Sequence, residues 1–132
     1  MKKHWTTGIA FGAGVLAAAG GVMSGPAAAA DLPVSFNLDV LPILNSRCSE
    51  CHAPGGDGYE KSGYDLTTYE GVMAGTKYGP MVIPGDPMSS NLVRLVAGKA
   101  APELRMPHNQ RPLLDPQVKI LSDWVKEGAK DN

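Results

Sequence analysis

The hexapeptide RCSECH, residues 47–52, contains both cysteines of the chain and one of its three histidines. Thiols and an imidazole this close can form a disulfide, bind a metal, act as a redox dithiol or hold a larger group. A structural zinc site needs four ligands, but His108 is the only later histidine. A thioredoxin-like redox dithiol lies at the start of a helix that follows a strand. Residues 38–47, directly before Cys48, have a helical pattern instead, which argues against this type of site. A plain disulfide stays open, although it gives His52 no role.

Covalent attachment of a haem uses all three residues of the motif. In a helical turn Cys48 and Cys51 lie on one face, where both sulfurs can form thioethers with the two vinyl groups of a haem. His52, four residues after Cys48, then directs its imidazole at the iron. The spacing predicts one haem c, attached through Cys48 and Cys51, with His52 as an axial ligand of the iron.

The size and charge of the chain restrict the classes of protein it can belong to. Its 132 residues, 43% of them apolar, suffice for one modest core, which a bound cofactor would help to stabilise. The net charge of -1 shows no basic excess, so we expect no nucleic-acid partner.

The first thirty residues have the pattern of a secretory signal peptide. Lys2 and Lys3 precede an uncharged stretch, residues 5–30, which ends in four alanines. We expect cleavage after Ala30, leaving a monohaem domain of residues 31–132 with a net charge of -3 in the periplasm. An uncleaved membrane anchor is the alternative, because the stretch is long enough to cross a bilayer. Membrane association would then arise from this segment or through a membrane complex.

Capping residues and apolar spacing predict an all-α body. Helices are predicted over residues 39–47, 67–75, 86–98 and 115–128. Asp39 is the expected N-cap of the first, and Thr67 with Glu70 forms a capping box for the second. Met88 belongs to the apolar stripe of the third, and Trp124 to the core face of the fourth. The glycines of residues 53–65 predict a loop.

The second axial position of the iron has several candidate ligands. They are Met73, Met81, Met88, Met106 and His108. Met73 and Met88 lie in predicted helices, where core packing is the simpler role. Met106 lies in the irregular segment 104–112 and precedes Pro107, which stiffens an extended loop. We predict Met106 as the ligand, with Met81, His108 or an open position as alternatives.

Several segments, in their order along the chain, carry a resemblance to a known family. They are VLPILNSRCSECH, YDLTTYEGVMAG, VIPGDPMSSNLVRLVAG and RMPH, followed by LSDWVKEGA. The sequence resembles class I c-type cytochromes and, more narrowly, planctomycete-type cytochrome c domains, over residues 37–129. The resemblance implies a small fold of three to five short helices around one covalently attached haem, and Met106 stands where class I members have their methionine ligand. Ala53 and Pro54 follow the motif, where many members have glycine.

The resemblance and the motif together predict an exported electron carrier rather than an enzyme. A methionine ligand suits electron transfer, whereas an open position would indicate a haem-based ligand sensor or a small peroxidase. A haem subunit of a larger dehydrogenase or photosynthetic complex would share the same site. Between Arg94 and Arg111 four cations face Glu103 alone, which predicts a redox partner with an acidic docking surface. Alternatively, Arg105 or Arg111 pairs with a haem propionate.

Overall fold

A computed structural model describes residues 32–132. Every regular element in this part of the chain is helical, and its one β-type contact is an isolated bridge between Thr76 and Gly79. The α-helices are α1 (Leu41–Arg47), α2 (Ser49–His52), α3 (Asp57–Ser62), α4 (Tyr69–Ala74), α5 (Asn91–Val96) and α6 (Asp115–Lys126). A π-helical turn, Phe36–Val40, leads into α1, and a 3-10 turn spans Pro102–Leu104. The all-α prediction is confirmed, with six short helices in place of three to five.

The predicted signal peptide, residues 1–30, lies outside the described residues. Among residues 32–132, no helix has both the length and the apolar character needed to cross a bilayer.

The core forms between the first and last helical segments. Val40, Ile43 and Leu44 are buried on the face predicted for the first helix. On α6 the predicted apolar face is also buried, and Trp124 packs against Phe36 with ring centroids 5.4 Å apart. Each fully buried side chain of this kind contributes about 1.5–3 kcal/mol relative to exposure. The core role predicted for Trp124 is therefore confirmed.

Hydrogen bonds join the two ends of the described segment. The main-chain oxygen of Asn132 accepts from the Asn37 amide at 3.0 Å and from the Ser35 hydroxyl at 2.6 Å. The Asn132 side chain accepts from the Phe36 amide at 2.9 Å and donates to the Val34 carbonyl at 3.3 Å. These bonds fix the π-helical turn against the residues that follow α6.

Two predicted helix caps are shifted along the sequence. Ser35, rather than Asp39, caps the first helical segment by accepting from the Leu38 amide, and Asp39 accepts from the Ser35 amide in return. Thr68, rather than Thr67, caps α4 by accepting from the Gly71 amide at 3.0 Å. Neighbouring Ser and Thr residues offer the same capping chemistry, so local spacing does not decide between them.

The helix predicted to open at Asp86 begins at Asn91 instead. The Asp86 carboxylate accepts from the Ser89 amide at 3.0 Å, and the buried Ser90 hydroxyl donates to the Asp86 carbonyl at 2.7 Å. These side-chain bonds hold a turn in place of a helix. Met88 is 84% exposed in that turn, so its predicted core role is wrong.

Part of the predicted loop, residues 53–65, is helical. α3 spans Asp57–Ser62 although Gly58 lies within it. A Cβ atom at Gly56, just before α3, would lie 2.5 Å from the Cys51 carbonyl oxygen. The two glycines therefore permit close packing of α3 on α2, a long-range reason that the sequence pattern could not distinguish from a turn signal.

Candidate functional site

A cavity of about 920 Å³ opens beside α2. All three residues of the motif line it, as do Leu92, Leu95 and Val96 of α5 and parts of residues 76–81 and 104–110. Ligand sites typically measure about 300–1,000 Å³, so this volume suits a large cofactor rather than a metabolite. The cavity thus places the motif in the wall of a space large enough for a porphyrin.

The motif forms the predicted helical turn. The amides of Cys51 and His52 both donate to the Cys48 carbonyl, at 3.1 and 2.9 Å. The two cysteines are free thiols, with Cys48 half-buried and Cys51 exposed. Burial raises the pKa of the Cys48 thiol to about 11, so it is protonated at neutral pH. A protonated thiol is a poor redox nucleophile, whereas its S–H can add across a vinyl double bond.

The His52 ring is oriented by a main-chain contact. Its Nδ1 lies 3.2 Å from the Tyr64 carbonyl oxygen, and this contact favours the tautomer in which Nδ1–H donates. Nε2 then carries the lone pair for a metal. Burial lowers the pKa of His52, the Tyr64 carbonyl opposes that shift and nearby His108 adds to it. The site therefore holds neutral imidazole, the form that binds iron.

Gly58 packs directly against the His52 ring. A Cβ atom at this position would lie 2.9 Å from Cε1 and 3.0 Å from Nε2 of the imidazole. The same atom would lie 2.9 Å from the Cys51 carbonyl oxygen. Only a residue without a side chain leaves the ring in this position, and the sequence pattern gave Gly58 no such role.

We expect Gly58→Ala to disturb axial ligation by His52. Alanine is favoured over glycine within a helix by about 1 kcal/mol, so helix propensity alone would stabilise the variant. The close contact predicts the opposite, a loss of about 1–3 kcal/mol in the free energy of unfolding. Denaturant unfolding and the absorption spectrum of the haem-loaded protein measure both effects. Glu60→Ala, on the exposed side of α3, is the control, and a Gly58→Ala protein more stable than wild type would contradict the packing argument.

The structure divides the five candidates for the second axial ligand into two groups. Met81, Met106 and His108 line the cavity, whereas Met73 packs against the core outside it and Met88 is exposed. The Met106 amide donates to the Leu95 carbonyl at 3.3 Å, which holds its loop against α5. The peptide bond between Met106 and Pro107 is cis. Met106 stays the predicted ligand, with Met81 and His108 in the same wall.

The Tyr64 hydroxyl is a buried polar group that lacks a partner in the described part of the chain. Tyr64 is 3% exposed, lines the cavity and packs edge-on against His52 with ring centroids 6.0 Å apart. Burial, and secondarily Cys48, raises the pKa of this phenol, so it stays protonated. An unsatisfied buried hydroxyl costs about 1–3 kcal/mol. This unpaired donor in the cavity wall fits a haem, because a haem carries carboxylates that could accept its hydrogen bond. Sequence spacing alone did not distinguish Tyr64 from the other tyrosines.

We expect Tyr64→Phe to destabilise the haem-loaded protein by about 1 kcal/mol, because the hydroxyl would lose its bond to the bound group. If the hydroxyl stayed unpaired, phenylalanine would instead be neutral or stabilising. Denaturant unfolding measures the sign of the change in the free energy of unfolding. Tyr69→Phe provides a calibration, since the Tyr69 hydroxyl donates to the Ala129 carbonyl at 2.8 Å, away from the motif. Unchanged stability in Tyr64→Phe alongside a loss in Tyr69→Phe would refute this role.

A small helical fold with a Cys-x-x-Cys-His turn in the wall of a cofactor-sized cavity defines the class of c-type cytochrome domains. Residues 48–109 match the model of the family described as planctomycete cytochrome C. The chain therefore contains a planctomycete-type cytochrome c domain, as the resemblance predicted, and this family implies covalently bound haem c. The match begins at Cys48 and ends three residues after Met106. No curated protein and no solved structure matched the chain.

Proposed function

We propose that this chain is an exported monohaem cytochrome c that carries single electrons between redox partners, with His52 and Met106 as the axial ligands of its haem iron. One observation carries the proposal: the attachment motif and Met106 line the same cavity. When bound, the haem supplies an iron centre that cycles between two oxidation states one electron apart. The chain supplies the cysteines that attach the haem, the ligands of its iron and an apolar environment around it.

Each residue has a distinct task in this proposal. Cys48 and Cys51 hold the cofactor against α2, and the Tyr64 carbonyl keeps the His52 imidazole in the iron-binding tautomer. As a ligand, the Met106 thioether would raise the reduction potential and exclude exogenous ligands from the iron. The apolar side chains of α5 line the cavity and would limit the access of water to a bound haem.

Binding of small ligands tests the proposal against its main rival. Carbon monoxide added to the reduced protein, or cyanide added to the oxidised protein, should change the visible spectrum little, because a methionine occupies the sixth position. Reductive titration should give a single reversible one-electron transition. Rapid and complete binding of either ligand would favour a sensor or a peroxidase instead.

Export is supported by the family, whose cytochrome domains are typically exported. We propose that residues 1–30 direct export to the periplasm and are removed after Ala30. The N-terminus of the protein from its native cells should then be Asp31. An intact N-terminus in the membrane fraction would indicate an anchor instead.

A further inference from the structure

The segment that carries Met106 is mostly exposed. Residues 106–112 lie between the 3-10 turn and α6 and form no helix or strand, and residues 108–112 are all exposed. Segments of this kind open more readily than packed helices do. The position of the Met106 sulfur therefore depends on the contacts that hold this segment against the rest of the domain.

Hydrogen bonds connect this segment to the rest of residues 32–132 at two points. At one end, the Met106 amide donates to the Leu95 carbonyl at 3.3 Å, longer than the usual range of about 2.7–3.2 Å. At the other end, Nη2 of Arg47 donates to the Arg111 carbonyl at 2.5 Å. Bonds from a charged donor are roughly twice as strong as those between neutral groups. The Arg47 bond is therefore the stronger of the two connections.

Arg47 belongs to the part of the chain that would attach the haem. It is the last residue of α1 and directly precedes Cys48, whose amide donates to the Leu44 carbonyl at 2.8 Å. Its side chain is half-buried and lines the same cavity as Met106. One side chain therefore connects the attachment motif to the segment that carries the predicted sixth ligand.

A guanidinium can keep this bond when a haem fills the cavity. It has five N–H donors in a planar fork, and the bond to the Arg111 carbonyl uses one of them. The other donors stay available to further acceptors, such as a propionate. The side chains of Arg105 and Arg111, the two predicted alternatives for pairing with a propionate, do not line the cavity in the described structure.

We propose that Arg47 is a positioning residue for the sixth ligand, because its bond to the Arg111 carbonyl holds residues 106–112 beside the attachment motif and keeps Met106 at the iron. This inference rests on the proposed function, in which Met106 ligates the haem iron. A competing ligand would reach the iron only when the segment opens and the sulfur leaves. Loss of a bond from a charged donor should raise the open population about tenfold.

Imidazole binding to the oxidised, haem-loaded protein tests this role. The apparent affinity of a competing ligand rises in proportion to the open population, so Arg47→Leu should bind imidazole about tenfold more tightly than wild type in a spectroscopic titration. Arg111→Leu is the matched control, because it removes an exposed arginine side chain but keeps the main-chain carbonyl that accepts the bond. Its affinity should stay within about twofold of wild type. Equal affinities in all three proteins, or equal increases in both variants, would overturn the proposal.

A second substitution covers the case in which Arg47→Leu does not take up haem. Arg47→Gln keeps a polar side chain at this position, but its amide nitrogen lies two bonds nearer to Cα than Nη2 does. It should therefore lose the bond to the Arg111 carbonyl and show the same rise in imidazole affinity. A wild-type affinity in Arg47→Gln would count against the proposal.

Hydrogen exchange of the Met106 amide gives a readout that does not depend on ligation. Opening of the segment breaks the bond from this amide to the Leu95 carbonyl, so the amide of the reduced, haem-loaded protein should exchange about tenfold faster in Arg47→Leu than in wild type. Arg111→Leu should exchange at the wild-type rate. An unchanged rate in Arg47→Leu would overturn the role of Arg47 even where Met106 ligates the iron. Wild-type protein that lacks the charge-transfer band and binds imidazole without hindrance would instead show that the proposed ligation fails.

Discussion

Replacement of both Cys48 and Cys51 by alanine is expected to leave the protein without covalently attached haem. Each thioether requires one sulfur, and the helical turn of α2 holds both in the cavity wall. Wild-type protein should stay red after acid-acetone extraction, whereas any haem in the double variant should pass into the solvent. Each single variant should retain at most one thioether and mature less efficiently.

The same change should reduce folding stability. The cavity occupies about 920 Å³ within a domain of about 100 residues, so a haem bound there would bury a large apolar area for a core of this size. Glu50→Ala, exposed in the same turn, should keep both the haem and the stability. Haem extracted from wild-type protein by acid-acetone would disprove covalent attachment, and a cooperative, native-like haem-free form would contradict the stability argument.

Met106→Ala should produce the second large effect, on the iron itself. Loss of a thioether ligand should abolish the weak charge-transfer band at the red end of the oxidised spectrum. The reduction potential should fall by on the order of 0.1 V, within the range of about 0.8 V that axial ligands span. Carbon monoxide should then bind rapidly to the reduced protein. Absorption spectroscopy and potentiometry measure these changes.

Met81→Ala is the matched control for that experiment. Met81 is also half-buried and lines the same cavity, so its removal alters packing by the same number of atoms. The band should persist in this variant. Its loss in Met81→Ala and retention in Met106→Ala would assign the ligand to Met81. Absence of the band from the oxidised wild-type protein would instead favour His108, which lines the cavity two residues beyond Met106.

Short-range features of the site and fold were predictable from the sequence. The turn at Cys48 and His52 depends on spacing within five residues, and the buried faces of α1 and α6 follow from helical periodicity. Met88 shows the limit of periodicity, because it fits the apolar stripe while turn bonds from Asp86 and Ser90 stop the helix short of it.

The residues that support the site depend on contacts between distant segments. The role of Tyr64 appears only when its carbonyl reaches His52, twelve residues earlier, and its hydroxyl is enclosed without a partner. Gly58 looks like a loop residue until α3 packs on the His52 ring. The approach of Arg105 to Gly98 at the end of α5 likewise depends on the loop between them. A local sequence pattern does not predict such contacts, because they depend on how the chain folds between distant segments.

The hydrogen bonds between Asn132 and residues 34–37 make the topology of this domain nearly circular. Domains whose first and last segments meet in this way tolerate circular permutation, in which those two segments are linked and the chain is opened in an exposed turn. The exposed turn around Gly85 and Met88 lies outside the cavity wall and offers such a position. A permuted chain would place both new termini there, so an electrode tether or a fused redox domain could be attached at a point outside the cavity wall. The order of the segments along the chain could therefore be changed without altering the residues of the cavity wall.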